Sequence, residues 1–181
     1  TPPAIVLPEG ADDEDRFAAN ELAADLKADH DIDAAVTDRA ADGQPAIHLK
    51  RRTGDGLKPE GHGLRVEQDA VTLEGNDTAG LFWGTQTLLQ ACRKGPDGLE
   101  IPCMEIEDWP DIPHRAMHYD TKHHQGTGEY VRGFIRTLAH YKANMLVWEW
   151  EDKLAYERHP EVGAPGAFTK SQMQDLTAYA R

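Results

Sequence analysis

Apolar residues recur along this chain with two different periods, and the period changes at turn signals. Ala4-Ile5-Val6-Leu7 is a short apolar run stopped by Pro8, the length and composition of a strand. The polar stretch that follows places Phe17, Leu22 and Leu26 at roughly helical spacing and predicts a helix. Ala34–Thr37 and Ala46–Leu49 read as two further strands, separated by turn residues around Asp42-Gly43. Leu64–Glu67 and Val71–Glu74 alternate apolar with polar residues across Gln68-Asp69-Ala70, which predicts a hairpin with one buried face. A second helix can be capped by Asn76 or Asp77, carries Leu81, Thr85, Leu88, Leu89 and Cys92 on one face, and ends at Gly95-Pro96. This part of the chain is therefore expected to be a sheet layered with helices.

Glu100–Ile106 is extended, and Asp108-Trp109-Pro110-Asp111-Ile112-Pro113 is a connector that no helix could traverse. The pattern places a domain boundary there, with a small α/β domain over 1–107 and a second domain over 108–181. The rhythm then becomes strand, helix, strand, helix. A strand over Arg115–Asp120 precedes a helix over Glu129–Ala143, whose Val131, Phe134, Ile135 and Leu138 form an i, i+3, i+4, i+7 stripe. Met145–Trp150 opens as a continuous apolar run, as in a parallel strand covered on both faces. Thr169-Lys170-Ser171-Gln172 resembles a capping box and starts a helix with Met173, Leu176 and Ala180 inward. Two βα units match the opening of an α/β barrel. A complete one needs roughly 250 residues, so the second domain is expected to depend on further βα units.

Composition narrows the classes of partner. A hydrophobic fraction of 39% suffices for a globular core, and 19 Lys+Arg against 32 Asp+Glu give a net charge of −13. Such a surface repels nucleic acid and anionic membranes. The acidic excess between Ala11 and Asp42 reads as a solvated helix face. No apolar run approaches the roughly 18 residues of a membrane span, and Thr1 begins without a charged or apolar leader. The chain reads as soluble, with secreted, periplasmic and cytoplasmic placements all open. Cys92 and Cys103 are too few for a disulfide framework and are expected to be buried free thiols.

Candidate chemistry gathers where barrels keep it, at the carboxyl ends of strands. Those ends carry Tyr119, Asp120, Lys122, His123 and His124 after one strand, and Trp150, Glu151, Asp152 and Lys153 after the next. Arg115, inside a barrel strand, needs either a polar cavity where its fork binds hydroxyls or carboxylates, or an ion pair closing the barrel floor. His114 and His118 share parity, yet no HExxH or Cys-x-x-Cys accompanies them and no metal site is expected. Glu149, Glu151 and Asp152 could supply acid/base chemistry, although only alternate strand residues share a face. The four tryptophans could stack on sugars or fill core. No glycine-rich phosphate loop follows a strand, which disfavours nucleotide binding, and no cofactor is expected.

Two segments go beyond generic pattern. Gly75-Asn76-Asp77-Thr78-Ala79-Gly80-Leu81-Phe82-Trp83-Gly84-Thr85-Gln86-Thr87-Leu88-Leu89-Gln90 resembles the helix closing the small domain that precedes the barrel in glycoside hydrolase family twenty, the β-N-acetylhexosaminidases. The run from Asp108 to Asp120 resembles that family's entry into its first barrel strand. Asn144–Glu157 is similar to the hexosaminidase D branch, with its Glu-aromatic-Glu-Asp strand ending. The resemblance implies a zincin-like α+β sandwich followed by the first two βα units of a TIM barrel. It implies a retaining exo-hydrolase that removes terminal N-acetylhexosamine. The substrate's own 2-acetamido carbonyl attacks the anomeric carbon, an aspartate orients that group, and a glutamic acid protonates the leaving oxygen. Such a tethered nucleophile has a high effective molarity.

The family's adjacent Asp-Glu pair belongs to the fourth barrel strand, so no catalytic residue is expected within these 181 residues. By resemblance Arg115 holds hydroxyls of the terminal sugar, and Asp152 matches the first aspartate of the family's Asp-Asp-Gln-Gly-Trp stretch, with Lys153 in place of the second. The expected partners are a carbohydrate with terminal N-acetylhexosamine and the rest of the barrel. Two other readings stay open: another carbohydrate hydrolase of the same layout, of α-glucuronidase or O-GlcNAc hydrolase type, and a non-catalytic carbohydrate-binding or interaction module.

Overall fold

The first apolar run becomes β1 (Ala4–Val6), followed by α1 (Asp13–His30), β2 (Ala35–Thr37), β3 (Ala46–Arg51), β4 (His62–Val66), β5 (Ala70–Gly75) and α2 (Thr78–Ala91). β6 (Arg93–Gly95), β7 (Gly98–Glu100) and β8 (Met104–Asp108) follow. These elements come from a computed structural model that describes residues 1–96 and 98–181. The chain divides into two units, Thr1–Asp111 and Ile112–Arg181. Asp108, where the sequence pattern begins the second domain, is the last residue of β8 and pairs with His62.

In the first unit one mixed sheet has the order β2-β1-β3-β5-β4-β8. β1, β2, β3 and β5 run parallel, and β4 runs antiparallel to both β5 and β8. Alternation sorts the faces: Val71, Leu73 and Gly75 of β5 are buried while Thr72 and Glu74 between them are not. The buried side joins Ile5, Leu49, Leu64 and Leu73 to Leu22 and Leu26 of α1 and Leu81 and Leu88 of α2. The other side carries ion pairs across the strands, Lys50 to Glu74 at 2.8 Å, Arg65 to Glu105 at 2.7 Å, and Arg52 to both Glu74 and Glu107.

α1 is started by a reciprocal capping box between Asp12 and Asp15. The Asp15 N–H holds the Asp12 carboxyl below its ordinary range. Two expectations for α1 are corrected. Phe17 lies outside the buried stripe and is 43% exposed, stacking on Phe82 at 5.9 Å. Five residues turn a helix by about 140°, so Phe17 cannot share a face with Leu22. The acidic stretch is also not wholly solvated, because Asp15 is buried against Arg51.

Asp77 caps α2 by accepting from the Gly80 N–H at 2.7 Å, and its other oxygen accepts from the Glu60 N–H at 2.7 Å. A side chain at Gly80 would run into the Gly61 carbonyl oxygen, and one at Gly84 into Leu73. The glycines of the signature segment therefore set the closeness of helix and sheet. α2 ends at Ala91, earlier than Gly95-Pro96, because Arg93–Gly95 pairs with Gly98–Glu100 in a small antiparallel ribbon. Burial pushes the half-buried Cys92 thiol up to about 11. Cys103 is exposed, contrary to the expectation of a buried thiol, since it precedes β8 and sits outside the sheet.

The second unit contains β9 (Ala116–Asp120), α3 (Gly128–His140), β10 (Met145–Glu149), a 3-10 turn (Glu151–Lys153) and α4 (Lys170–Tyr179). β9 and β10 pair in parallel. Thr127 caps α3, and a capping box between Thr169 and Gln172 starts α4. Val131, Phe168 and Leu176 form a small core with Tyr119, Ile135, Trp148 and Met173 packed around it. Within these 181 residues Met145 and Val147 of β10 are 43% and 49% exposed. Their strand face, shared with His118, Asp120 and Glu149 by register, is the one away from the helices. Ala180 caps α4 and is exposed, because the helix stops before it.

Candidate functional site at the carboxyl ends of two parallel strands

Both strands of the second unit end in ionisable residues, and parallel pairing brings those ends together. Asp120 pairs with Glu149 as the last residue of each strand. Thr121, fully buried, locks that end. Its N–H and Oγ1 both donate to the Glu149 carbonyl, at 3.0 and 2.9 Å, and its Oγ1 accepts from Trp148 Nε1 at 3.2 Å. Thr121 is absent from the candidates read from sequence. An isolated threonine after a strand carries no signal, and only the pairing partner reveals its role.

Around this clamp the charges form a chain. Lys122 Nζ lies 3.1 Å from Glu151 and 3.5 Å from Glu149, whose second oxygen meets His118 Nε2 at 3.1 Å. The Lys122 N–H donates to Asp120 Oδ1 at 2.8 Å. The bond to Glu151, reinforced by the charges of Glu151 and Glu149, raises the Lys122 pKa and keeps the ammonium protonated. Glu151 itself adopts φ 40, in the left-handed region. That geometry turns the chain out of β10 into the 3-10 turn.

The segment after β10 closes on itself. Ala155 N–H donates to the Phe168 carbonyl at 2.9 Å, Phe168 N–H to the Lys153 carbonyl at 2.8 Å, and Ala164 N–H to the Asp152 carbonyl at 2.8 Å. Gln125 Nε2 reaches the Gly166 carbonyl at 2.6 Å, tying the loop after β9 to the loop after β10. Asp152 belongs to this mouth, with its carboxylate on Lys153 Nζ at 2.7 Å.

Arg115 lies at the opposite end. It precedes β9, its N–H donates to Asn144 Oδ1 at 2.9 Å, and its guanidinium donates to the Lys142 carbonyl at 2.6 Å and the Ile112 carbonyl at 3.0 Å. Asn144 Nδ2 in turn donates to the Pro113 carbonyl at 2.9 Å. These bonds join the starts of β9 and β10, and a five-residue strand separates them by roughly 16 Å from the mouth. Arg115 and Asp152 are thus not brought together.

The other sequence candidates divide similarly. His118 joins the cluster, while His114 is exposed before β9 and His123 and His124 are exposed after it. Among the described residues no group of three or more His, Cys, Asp or Glu side chains is placed to hold a metal ion. Trp148 packs against Tyr119, Phe168 and Trp150, and Trp83 donates to Glu60 at 2.8 Å, so both serve packing. No helix among the described residues is long and apolar enough to cross a membrane.

Residues 4–109 match the model of glycosyl hydrolase family 20, domain 2. The chain belongs to glycosyl hydrolase family 20. The family-20 match lies within the first unit, and similarity to individual relatives continues into the second. A β-hexosaminidase of Porphyromonas gingivalis is 27% identical over 183 residues, covering 88% of this chain and 24% of the relative. A β-hexosaminidase of Vibrio furnissii is 34% identical over 101 residues, covering 56% and 16%. The solved family-20 β-N-acetylhexosaminidase of Streptomyces coelicolor A3(2) superposes with a TM-score of 0.82 at 26% identity, over 98% of this chain and 39% of that one. The chain therefore spans at most about a quarter of the length of either sequence relative.

Proposed function

We propose that this chain is the amino-terminal part of a retaining exo-β-N-acetylhexosaminidase that removes terminal N-acetylhexosamine by substrate-assisted catalysis. Its first unit is the small zincin-like sandwich that braces the enzyme, and its second unit opens the (β/α)8 barrel. The carrying observation is the 27% identity to a β-hexosaminidase over 88% of this chain, which runs through both units. The polar mouth at the carboxyl ends of β9 and β10 supports the same reading, since α/β barrels build their active sites there.

In this reading the substrate's acetamido carbonyl is the nucleophile, held near the anomeric carbon by its tether and so acting at high effective molarity. The aspartate and glutamic acid that orient it and protonate the leaving oxygen come from a later strand of the barrel. Residues of this chain contribute the wall of the site. Asp152 lies at the mouth, where it can support the substrate side. Arg115, through its bonds to the carbonyls of Lys142 and Ile112, registers the two strands from below.

The test is hydrolysis of aryl β-N-acetylglucosaminide, aryl β-N-acetylgalactosaminide and the matching β-glucoside by the full-length natural protein. Turnover confined to the 2-acetamido substrates is expected. Turnover of a uronide or of the plain glucoside instead would transfer the protein to a different hydrolase of the same layout.

A further inference from the structure

We draw no further inference here: the strongest candidate, the apolar groove of about 740 Å³ that Trp150, Leu154, Tyr156, Met173 and Thr177 line between the segment after β10 and α4, lies open in a chain that spans 24% of its Porphyromonas gingivalis relative, and nothing in the structure shows what covers it.

Discussion

Arg51 Nε donates to Asp15 Oδ1 at 2.6 Å, binding the buried carboxylate of the first helix to the end of β3. The same guanidinium reaches Asp12, the cap of that helix, at 3.1 Å. Asp15 is nearly enclosed, so Asp15→Asn removes the nearer and more buried of the two carboxylates on the Arg51 guanidinium and leaves only Asp12. Unfolding in urea should show a loss of about 1–3 kcal/mol. The double variant with Arg51→Met should lose less than the sum of the two single changes. Strict additivity would mean that the pair does not couple helix to sheet.

Asp77 has two backbone clients, the Gly80 N–H that starts α2 and the Glu60 N–H of the loop before β4. Asp77→Ala should therefore lower stability by about 2 kcal/mol, more than the loss of a cap alone. Gly80→Ala attacks the same junction by a separate route, forcing a methyl group into the Gly61 carbonyl. Thermal melts of both variants should show lower midpoints than the wild type, and an unchanged midpoint in either would refute this account of the signature segment.

Acid should weaken the charged face of the six-stranded sheet. The Arg52 guanidinium holds the Glu107 carboxyl below its ordinary value of 4.5, and Lys50, followed by Arg52, does the same for Glu74. A carboxyl lowered in the folded state contributes stability above its unfolded value. That stability is lost as pH falls from about 4.5 through the folded value. Unfolding free energy measured across this window should decline, and the decline should be shallower in Arg52→Met. Equal slopes would remove these pairs from the acid response.

Arg115→Ala separates two roles for that residue. Its guanidinium bonds to the Lys142 and Ile112 carbonyls predict a stability loss of about 1–3 kcal/mol in the full-length protein, with KM for aryl N-acetylhexosaminides changed little. A KM raised tenfold or more at unchanged stability would instead support the sugar contact implied by family resemblance.

The capping residues Asp77 and Thr169, the hairpin of β4 and β5 and the stripe of α3 were all legible in the amino-acid sequence. Each depends on neighbours within a few positions, and local hydrogen bonding and periodicity carry that information. The polar ends of β9 and β10 were legible as well, because strand ends can be read from where an apolar run stops. The ribbon of β6 and β7 was not, since three-residue strands leave almost no periodic trace. The spacing of Phe17 is close to helical yet does not place it on the face of Leu22 and Leu26, which only the packing of α1 reveals.

What the sequence by itself determined is the family, the capped and amphipathic elements, and the set of ionisable residues at the mouth. Tertiary structure alone decided which of them meet. The parallel register of β9 and β10 brings Lys122 to Glu149 and Glu151 and leaves Arg115 at the other end of the strands from Asp152, while the packing of α1 on the sheet brings Asp15 to Arg51. The physical reason is that parallel pairing aligns two chain segments by their backbone hydrogen bonds. Side-chain identity at one position does not encode the partner that register sets opposite it.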